Sequence, residues 1–501
     1  MIKTNRNLTL DILAAVILYA AVIVYQGYQY GQSDQSQILP VLFAQDHPGT
    51  YSNDQYVNAY LHSGVDERTI FHFILRYSGY DIPWLIFVWH TLFSMALIIA
   101  WIWIARLFIS NKALQFASIG CILIIGFHTS VGSNEIYYNQ FIPSLPAKAI
   151  SSWAIYFWLK NKYASWSALL ILSSLLQPLV GLQVFILTTL PQLIVYLHNP
   201  RKEKLPLVAM LLFLIVISPW ILLLAFHNGG RNAPSVFMDI MEFRLSHHFF
   251  ASYFGFFNLL IFCVLSIFCI FFYKGKLKWF ALVVIAGCCV YEIGVEIFRM
   301  PFFLYTQWWK TTIWLEAFGI IAIISFLESG FFIKEKLKRF AIVVPVIILF
   351  AVCIYRLTGL FGNLPTYMSP LTRKMKDDVD ISLLAKKLTS EGAVFILPPD
   401  LTAFRWYSKR STYVDHKALF HQEEFLNEWY KRIQTVYLYN LTEKRNGIPF
   451  DKKALQILNN PDPGVMNKWK TLGITHIISQ NPYLEGVELL GQNASYSIYK
   501  L

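Results

Sequence analysis

The chain has 501 residues, of which 56% are apolar and only 14% charged, and its mean hydropathy is +0.46. That composition excludes a soluble single-core enzyme and marks a polytopic membrane protein. The formal charge of +12 comes largely from Lys and Arg in short loops, so it implies no surface for nucleic acid.

About 20 mostly apolar residues cross the hydrocarbon core as one helix, and on that rule the sequence predicts about eleven spans. In chain order they are Leu8–Tyr25, Pro83–Ala105, Ala113–His128, Pro146–Leu159, Ala164–Leu176, Leu179–Leu197, Leu205–Ala225, Tyr253–Tyr273, Phe280–Ile297, Thr311–Phe326 and Phe340–Tyr355. The fifth ends at Gln177-Pro178, where proline breaks a helix.

Positive residues collect in short cytoplasmic loops, which sets the orientation. Lys3 and Arg6, Arg106 and Lys112, Lys160 and Lys162, Arg201 to Lys204, Lys274 to Lys278 and Lys334 to Arg339 all fall on one side. The N-terminus is therefore expected inside and the C-terminal segment outside, as in a bacterial inner membrane. No small-x-small site closes the first helix before Tyr28, so it reads as an uncleaved signal anchor. All six cysteines sit in predicted spans and read as apolar filler.

Between the first two spans lies a long polar stretch, 26–81, carrying Asp34, Asp46, Asp54, Asp66 and Glu67. Most loops between membrane helices are short, which makes this one a candidate active site. From about Leu364 the chain changes to mixed charge, short apolar runs and turn residues. Predicted elements there are a helix at Ile381–Thr389, strands at Ala393–Leu397 and Tyr413–Asp415, and helices at Gln422–Leu438, Ala454–Asn459 and Asn467–Leu472. A strand at Thr475–Ser479 and a hairpin of Val487–Leu489 with Tyr496–Tyr499 close the chain. The predicted fold is mainly α: a membrane helix bundle over 1–360 and an exported α/β domain over 364–501. No GxGxxG or Walker pattern follows a strand, so nucleotide binding has no support, and no internal repeat emerges.

Three outer segments carry chemistry. In the first, Asp34 comes soon after a helix end and can act as a general base or hold a divalent cation. Asp54 can do the same, although its Ser-Asn-Asp setting equally suits a turn or a helix cap. Asp46, Asp66 and Glu67 read as acids that solvate the loop. In the second segment Glu135 can supply a further carboxylate or merely open a helix. In the third, Arg244 offers a fork for phosphate, and His247 and His248 can bond it or move protons. Adjacent histidines on a helix point in different directions, so they do not form a paired metal site. Within the spans, Glu292, Glu296 and Arg299 form one stripe that Glu316 can join, either as a buried ion-pair tie or as a functional relay. Arg299, Gln307 and Lys310 lie at the outer interface, where a cation can meet a lipid phosphate or anchor the helix ends beside Trp308 and Trp309.

A first helix, a long outer loop with an early Asp, a second outer acid, about eleven spans and an exported α/β domain together resemble membrane glycosyltransferases of the GT-C fold class. Leu175 to Leu182 and the closing Gly473 to Leu501 look like poorly characterised bacterial members. The resemblance implies that Asp34 is the catalytic base or a metal-site residue, with Asp54 next in line. In the oligosaccharyltransferase branch an acid of the second outer loop completes a Mg or Mn site, which corresponds to Glu135. The chain has no Asp-x-Asp in its first loop and no Asp-Glu-x-His. The activity implied is transfer of a sugar from a polyprenyl-phosphate donor to an acceptor at the outer face, with Arg244, His247, His248, Arg299 or Lys310 on the donor phosphate. A rival reading is a multi-pass transporter or flippase of a lipid-linked or polar substrate, with Glu292, Glu296 and Glu316 as its relay.

Overall fold

The structure, a computed structural model, describes residues 8–198, 204–227, 237–329 and 373–501. The predicted span Phe340–Tyr355 and the boundary near residue 360 lie outside them. Helix α1 (Leu8–Gln26) is followed by α2 (Gln35–Asp46), α3 (Gln55–His62) and α4 (Thr69–Tyr77). Next come α5 (Pro83–Ala105), α6 (Lys112–Thr129), α7 (Ser144–Leu159), α8 (Tyr163–Leu176), α9 (Pro178–His198), α10 (Leu205–His227) and α11 (Phe237–Phe249). The helices α12 (Phe256–Phe272), α13 (Lys276–Glu292), α14 (Pro301–Thr306) and α15 (Thr312–Ser329) complete this run.

Much of the stretch 26–81 is therefore helical, although its polar sequence predicts only loop. The helices there are too short to hold themselves in water, so tertiary packing must stabilise them. They bury Tyr56, Val57 and Tyr60 on α3 and Phe71, His72 and Leu75 on α4. Aromatic and titratable side chains on those faces mask the periodicity.

The chain divides into two compact units, a helical one from Met1–Tyr28, Ile86–Leu223 and His247–Tyr367 and a mixed one from Gln29–Leu85, Leu224–Ser246 and Met368–Leu501. Among the described residues six helical stretches are long and apolar enough to cross a membrane: Leu8–Gln26, Pro83–Ala105, Pro178–His198, Leu205–Phe226, Lys276–Ile297 and Pro301–Ser329. Shorter apolar helices occur at Lys112–Ile124, Tyr163–Leu176 and Phe256–Phe272. Large apolar side chains such as Leu211 and Ile215 on α10 and Phe256 and Phe271 on α12 stay exposed on the protein, as lipid-facing positions do.

Within the helical unit small residues let helices close up, as membrane packing favours. A Cβ on Gly181 would fall 2.1 Å from Ser174 Oγ, so only glycine fits the turn of chain at Gln177-Pro178. Ser151 Oγ meets Ser173 Oγ at 2.8 Å, and Trp166 Nε1 donates to Thr188 Oγ1 at 3.0 Å. Asp11 of α1 is fully buried against Arg106 at the end of α5, with Arg106 Nη1 donating to Asp11 Oδ2 at 2.6 Å.

The mixed unit is built on a five-stranded sheet of β1 (Val394–Ile396), β2 (Ser411–Thr412), β3 (His476–Ser479), β4 (Glu488–Gln492) and β5 (Ser497–Lys500), in the order β2-β1-β3-β5-β4. The β1 strand pairs in parallel with β2 and β3, and β5 pairs antiparallel with β3 and β4. The predicted strand at Tyr413–Asp415 lies two residues early, at Ser411–Thr412. Asp415 leaves the ladder because its carboxylate and carbonyl serve Arg405, Lys417 and Trp429. Helices α16 (Arg373–Leu388), α17 (Phe404–Ser408), α18 (Glu423–Tyr437), α19 (Leu441–Arg445), α20 (Phe450–Asn459) and α21 (Pro463–Thr471) surround the sheet. Ile381, Ala385, Phe395, Phe404, Ile478 and Ile498 form its core.

Segments far apart in sequence complete this unit. Tyr51 Oη donates to the Arg405 carbonyl at 2.8 Å, and Asn53 Nδ2 to the Gly392 carbonyl at 3.2 Å. On α11, Phe243 inserts among His416, Trp429, Tyr430, Tyr439 and Phe450, and Arg445 grips Glu242 with two bonds of 2.9 and 2.6 Å. The division expected at 360–364 thus separates stretches that pack as one body: the first loop belongs with the C-terminal domain rather than with the helices that precede and follow it.

Candidate functional site

Asp34 stands at the N-cap position of α2, where a carboxylate favours the helix dipole. The chain reaches it through a tight turn in which Gly31 and Ser33 take positive φ. Gly31 is required there, because its φ is +72° and a Cβ would lie 2.6 Å from Trp406 Cδ1. The Asp34 side chain makes no capping bond. Its Oδ1 instead meets Lys417 Nζ at 2.8 Å, and the two side chains keep 39% and 30% of their exposure.

Lys417 belongs to three successive residues that each hold another segment of the mixed unit. Asp415 accepts Arg405 Nη1 at 2.9 Å and, through Oδ1, the Lys417 backbone N–H at 2.7 Å. The His416 carbonyl accepts Arg244 Nε at 2.5 Å, while its ring stacks on Phe450 at 3.9 Å. Burial pulls the Arg244 guanidinium below its ordinary range, and the charges of Asp415, Asp34 and Asp451 oppose that pull. An arginine keeps its proton in any case. Asp34 is therefore a partly exposed carboxylate with one ammonium in contact and a guanidinium within electrostatic reach.

Asp54 is placed differently. It is fully buried, caps α3 through the Val57 N–H at 3.1 Å, and its Oδ2 accepts Arg405 Nε at 2.8 Å, Thr412 N at 2.9 Å and Thr412 Oγ1 at 3.0 Å. That geometry is a cap and a buried counter-ion, the alternative its Ser-Asn-Asp setting allowed, and it leaves no oxygen for an acceptor hydroxyl. Of the acids expected only to solvate the loop, Asp66 is buried against Tyr60 and caps Thr69, and Asp46 pairs with Arg76. Both are structural, and neither is merely solvated.

In the helical unit Lys148 is a residue that the sequence reading passes over. It lies on α7 with 4% exposure and donates to the Glu135 carbonyl and, at 3.1 Å, to Tyr138 Oη. With Lys310, Gln177, Gln183, Ser144 and Trp314 it lines a small cleft. A lysine inside an apolar span is itself the signal, since ionisable groups there normally face a cavity or partner. His248 Nδ1 meets the Gly132 carbonyl at 2.7 Å, and the exposed His247 packs its ring against that of His248 with centroids 4.1 Å apart, so the two do not point apart as adjacent residues of a regular helix would; Leu245 just before them leaves helical φ/ψ. Arg299 is exposed at positive φ among Ile297, Phe298 and Met300, an interfacial setting. Glu292 accepts Trp309 Nε1 at 3.0 Å and Ala251 N at 3.3 Å, and Glu296 accepts Ser252 N at 2.8 Å. Those two acids clamp a backbone turn, which accounts for their place in a span. Glu316 is buried and accepts the Val131 N–H at 3.4 Å.

The expected Mg or Mn ion finds a poor fit at Asp34. Among the described residues no three His, Cys, Asp or Glu side chains gather as ligands, and a charged partner of Asp34 is the Lys417 ammonium. No step below is routed through a metal.

Residues 377–436 match the family described as Domain of unknown function (DUF6798). No curated protein matches the chain. Among solved structures it is similar to ArnT from Cupriavidus metallidurans in the apo state, at 12% identity and a TM-score of 0.46, covering 98% of this chain and 97% of that one. The same enzyme bound to undecaprenyl phosphate gives 13% identity and a TM-score of 0.42 over 98% and 97%. The Archaeoglobus fulgidus oligosaccharyltransferase tethered with an acceptor peptide containing the NVT sequon gives 9% identity and a TM-score of 0.41, over 94% of this chain and 69% of that one.

Proposed function

We propose that this chain is a membrane glycosyltransferase of the GT-C class that moves a sugar from a polyprenyl-phosphate donor to an acceptor at the outer face of the membrane, with the N-terminus cytoplasmic. The observation that carries the reading is Asp34. It is an accessible carboxylate soon after an apolar helix, beside Lys417 and in the field of Arg244. Acceptor activation needs a base within hydrogen-bond reach of a hydroxyl, and departure of the phosphate needs positive charge nearby. Asp34 supplies the first. Arg244, fixed by the His416 carbonyl, supplies the second without having to reorganise.

The cleft of Lys148 and Lys310, within the helical unit, has by itself the basic side chains that suit a lipid phosphate. A lipid phosphate presents its charge at the polar end of a hydrocarbon chain, and two ammonium groups at the edge of an apolar helix bundle match that pairing. The exported domain would hold the acceptor. A nucleotide-sugar donor fits less well, because the sequence shows no phosphate-cradling loop.

Purified protein supplied with labelled polyprenyl-phosphate sugars and a cell-envelope acceptor fraction is expected to move label to the acceptor. Substrate-driven flux in sealed vesicles, with no label transferred from any donor, would replace this reading with the transporter.

A further inference from the structure

We infer that Lys417 is a phosphate ligand held in reserve by the proposed base's own charge: in the free protein it sits on Asp34, and donor binding moves it to the phosphate, releasing Asp34 for the acceptor. The inference rests on the glycosyl-transfer reading and adds its order of events.

Lys417 Nζ lies 2.8 Å from Asp34 Oδ1 while retaining 30% of its exposure, so the ammonium is paired yet open to an incoming anion. Its backbone is far less free. The Lys417 N–H donates to Asp415, whose other oxygen is held by the buried Arg405, and the neighbouring His416 carbonyl is held by Arg244. A lysine side chain has four rotatable bonds, so on a held backbone Nζ can swing between two anions without moving the chain. A half-exposed ion pair is also weak enough to exchange. A phosphate arriving between Lys417 and Arg244 would be met by two positive charges, and the ammonium could not fully serve both anions.

The pairing matters because a carboxylate with an ammonium on it is a poor base. Once Lys417 moves, the acceptor hydroxyl gives its proton to Asp34 and its oxygen bonds the anomeric carbon of the sugar. The bond from that carbon to the phosphate oxygen breaks, and its electron pair stays on the phosphate, where Lys417 and Arg244 hold the charge. Atoms and charge balance with no further reactant. An acceptor arriving without donor would meet an occupied base.

The test is binding of decaprenyl phosphate in detergent micelles to the full-length protein and to Asp34→Asn, Lys417→Met, the double variant and Lys417→Arg. Removing the competing carboxylate should tighten binding by about two- to fivefold, the range a half-exposed pair allows. Lys417→Met should weaken binding, Lys417→Arg should largely restore it, and in the Lys417→Met background Asp34→Asn should change nothing. A gain from Asp34→Asn that persists without Lys417, or no gain at all, overturns the exchange alone. No saturable binding by any form overturns the exchange and the glycosyl-transfer reading together. Both side chains are half-exposed, and Lys417→Gln replaces any variant that loses its thermal transition.

Discussion

Lys417 Nζ and Asp34 Oδ1 stand 2.8 Å apart, joining the start of α2 to the C-terminal part of the mixed unit. The contact ties a residue late in the chain to the start of α2 within the mixed unit. It also separates Asp34 from Asp54, which carry the same functional group in the same loop and have different environments.

Asp54→Ala should destabilise the mixed unit by about 3 kcal/mol, because it takes one of two carboxylates from the buried Arg405 guanidinium, leaving Asp415, and strips the cap from α3. Equilibrium unfolding of the purified protein measures this. Loss of activity should track loss of folded protein, with no change in the activity of the fraction that remains folded.

Lys148→Met should weaken decaprenyl phosphate binding by about tenfold while changing stability by less than about 2 kcal/mol, since an apolar side chain of similar volume replaces a buried charge. Parallel binding and thermal-shift titrations check both halves. Unaltered binding would remove this pocket from the donor site.

His72 gives the mixed unit a defined acid sensitivity. Burial holds its imidazole down to about 4 from an ordinary value of 6.5, with the Asp66 charge opposing and Arg68 assisting. The folded state therefore favours the neutral ring, and its contribution is present above pH 6.5 and lost as pH falls through about 4. The full loss is about 3 kcal/mol. Unfolding measured from pH 7 to pH 4 should show that slope, and His72→Gln should flatten it.

Gly181→Ala should disrupt the join of α8 and α9, where a Cβ would collide with Ser174. A cost of about 1 to 3 kcal/mol is expected for such overpacking. Detergent thermal stability measures it, and because the added Cβ would also lie 2.5 Å from Ser174 N and 2.6 Å from Ser174 Cα, Ser174→Gly should not restore the parental value.

The sequence reveals the membrane helices well because their signal is local. Predicted limits such as Pro83–Ala105 and Leu205–Ala225 fall on or within two residues of the helix ends, and the last strand and its hairpin partner appear where the apolar runs place them. The site is legible only in part. Asp34 stands out by position, but its partner comes from a distant stretch of the same unit, and nothing near residue 417 marks it. Asp54 looks like an equal candidate until Arg405, 351 residues away, buries it. Lys148 escapes because a single lysine barely alters the hydropathy of a helix. The three short helices of the first loop escape because their stability comes from what they pack against rather than from their own periodicity.

The central claim is that Asp34 takes the acceptor's proton. Single-turnover transfer of labelled sugar from a polyprenyl-phosphate donor, compared between the parent and Asp34→Asn, tests it directly. The account predicts a rate lower by about 100-fold or more, as loss of a general base requires, with the unfolding transition unchanged and donor still bound. Transfer by Asp34→Asn at the parental rate would contradict it.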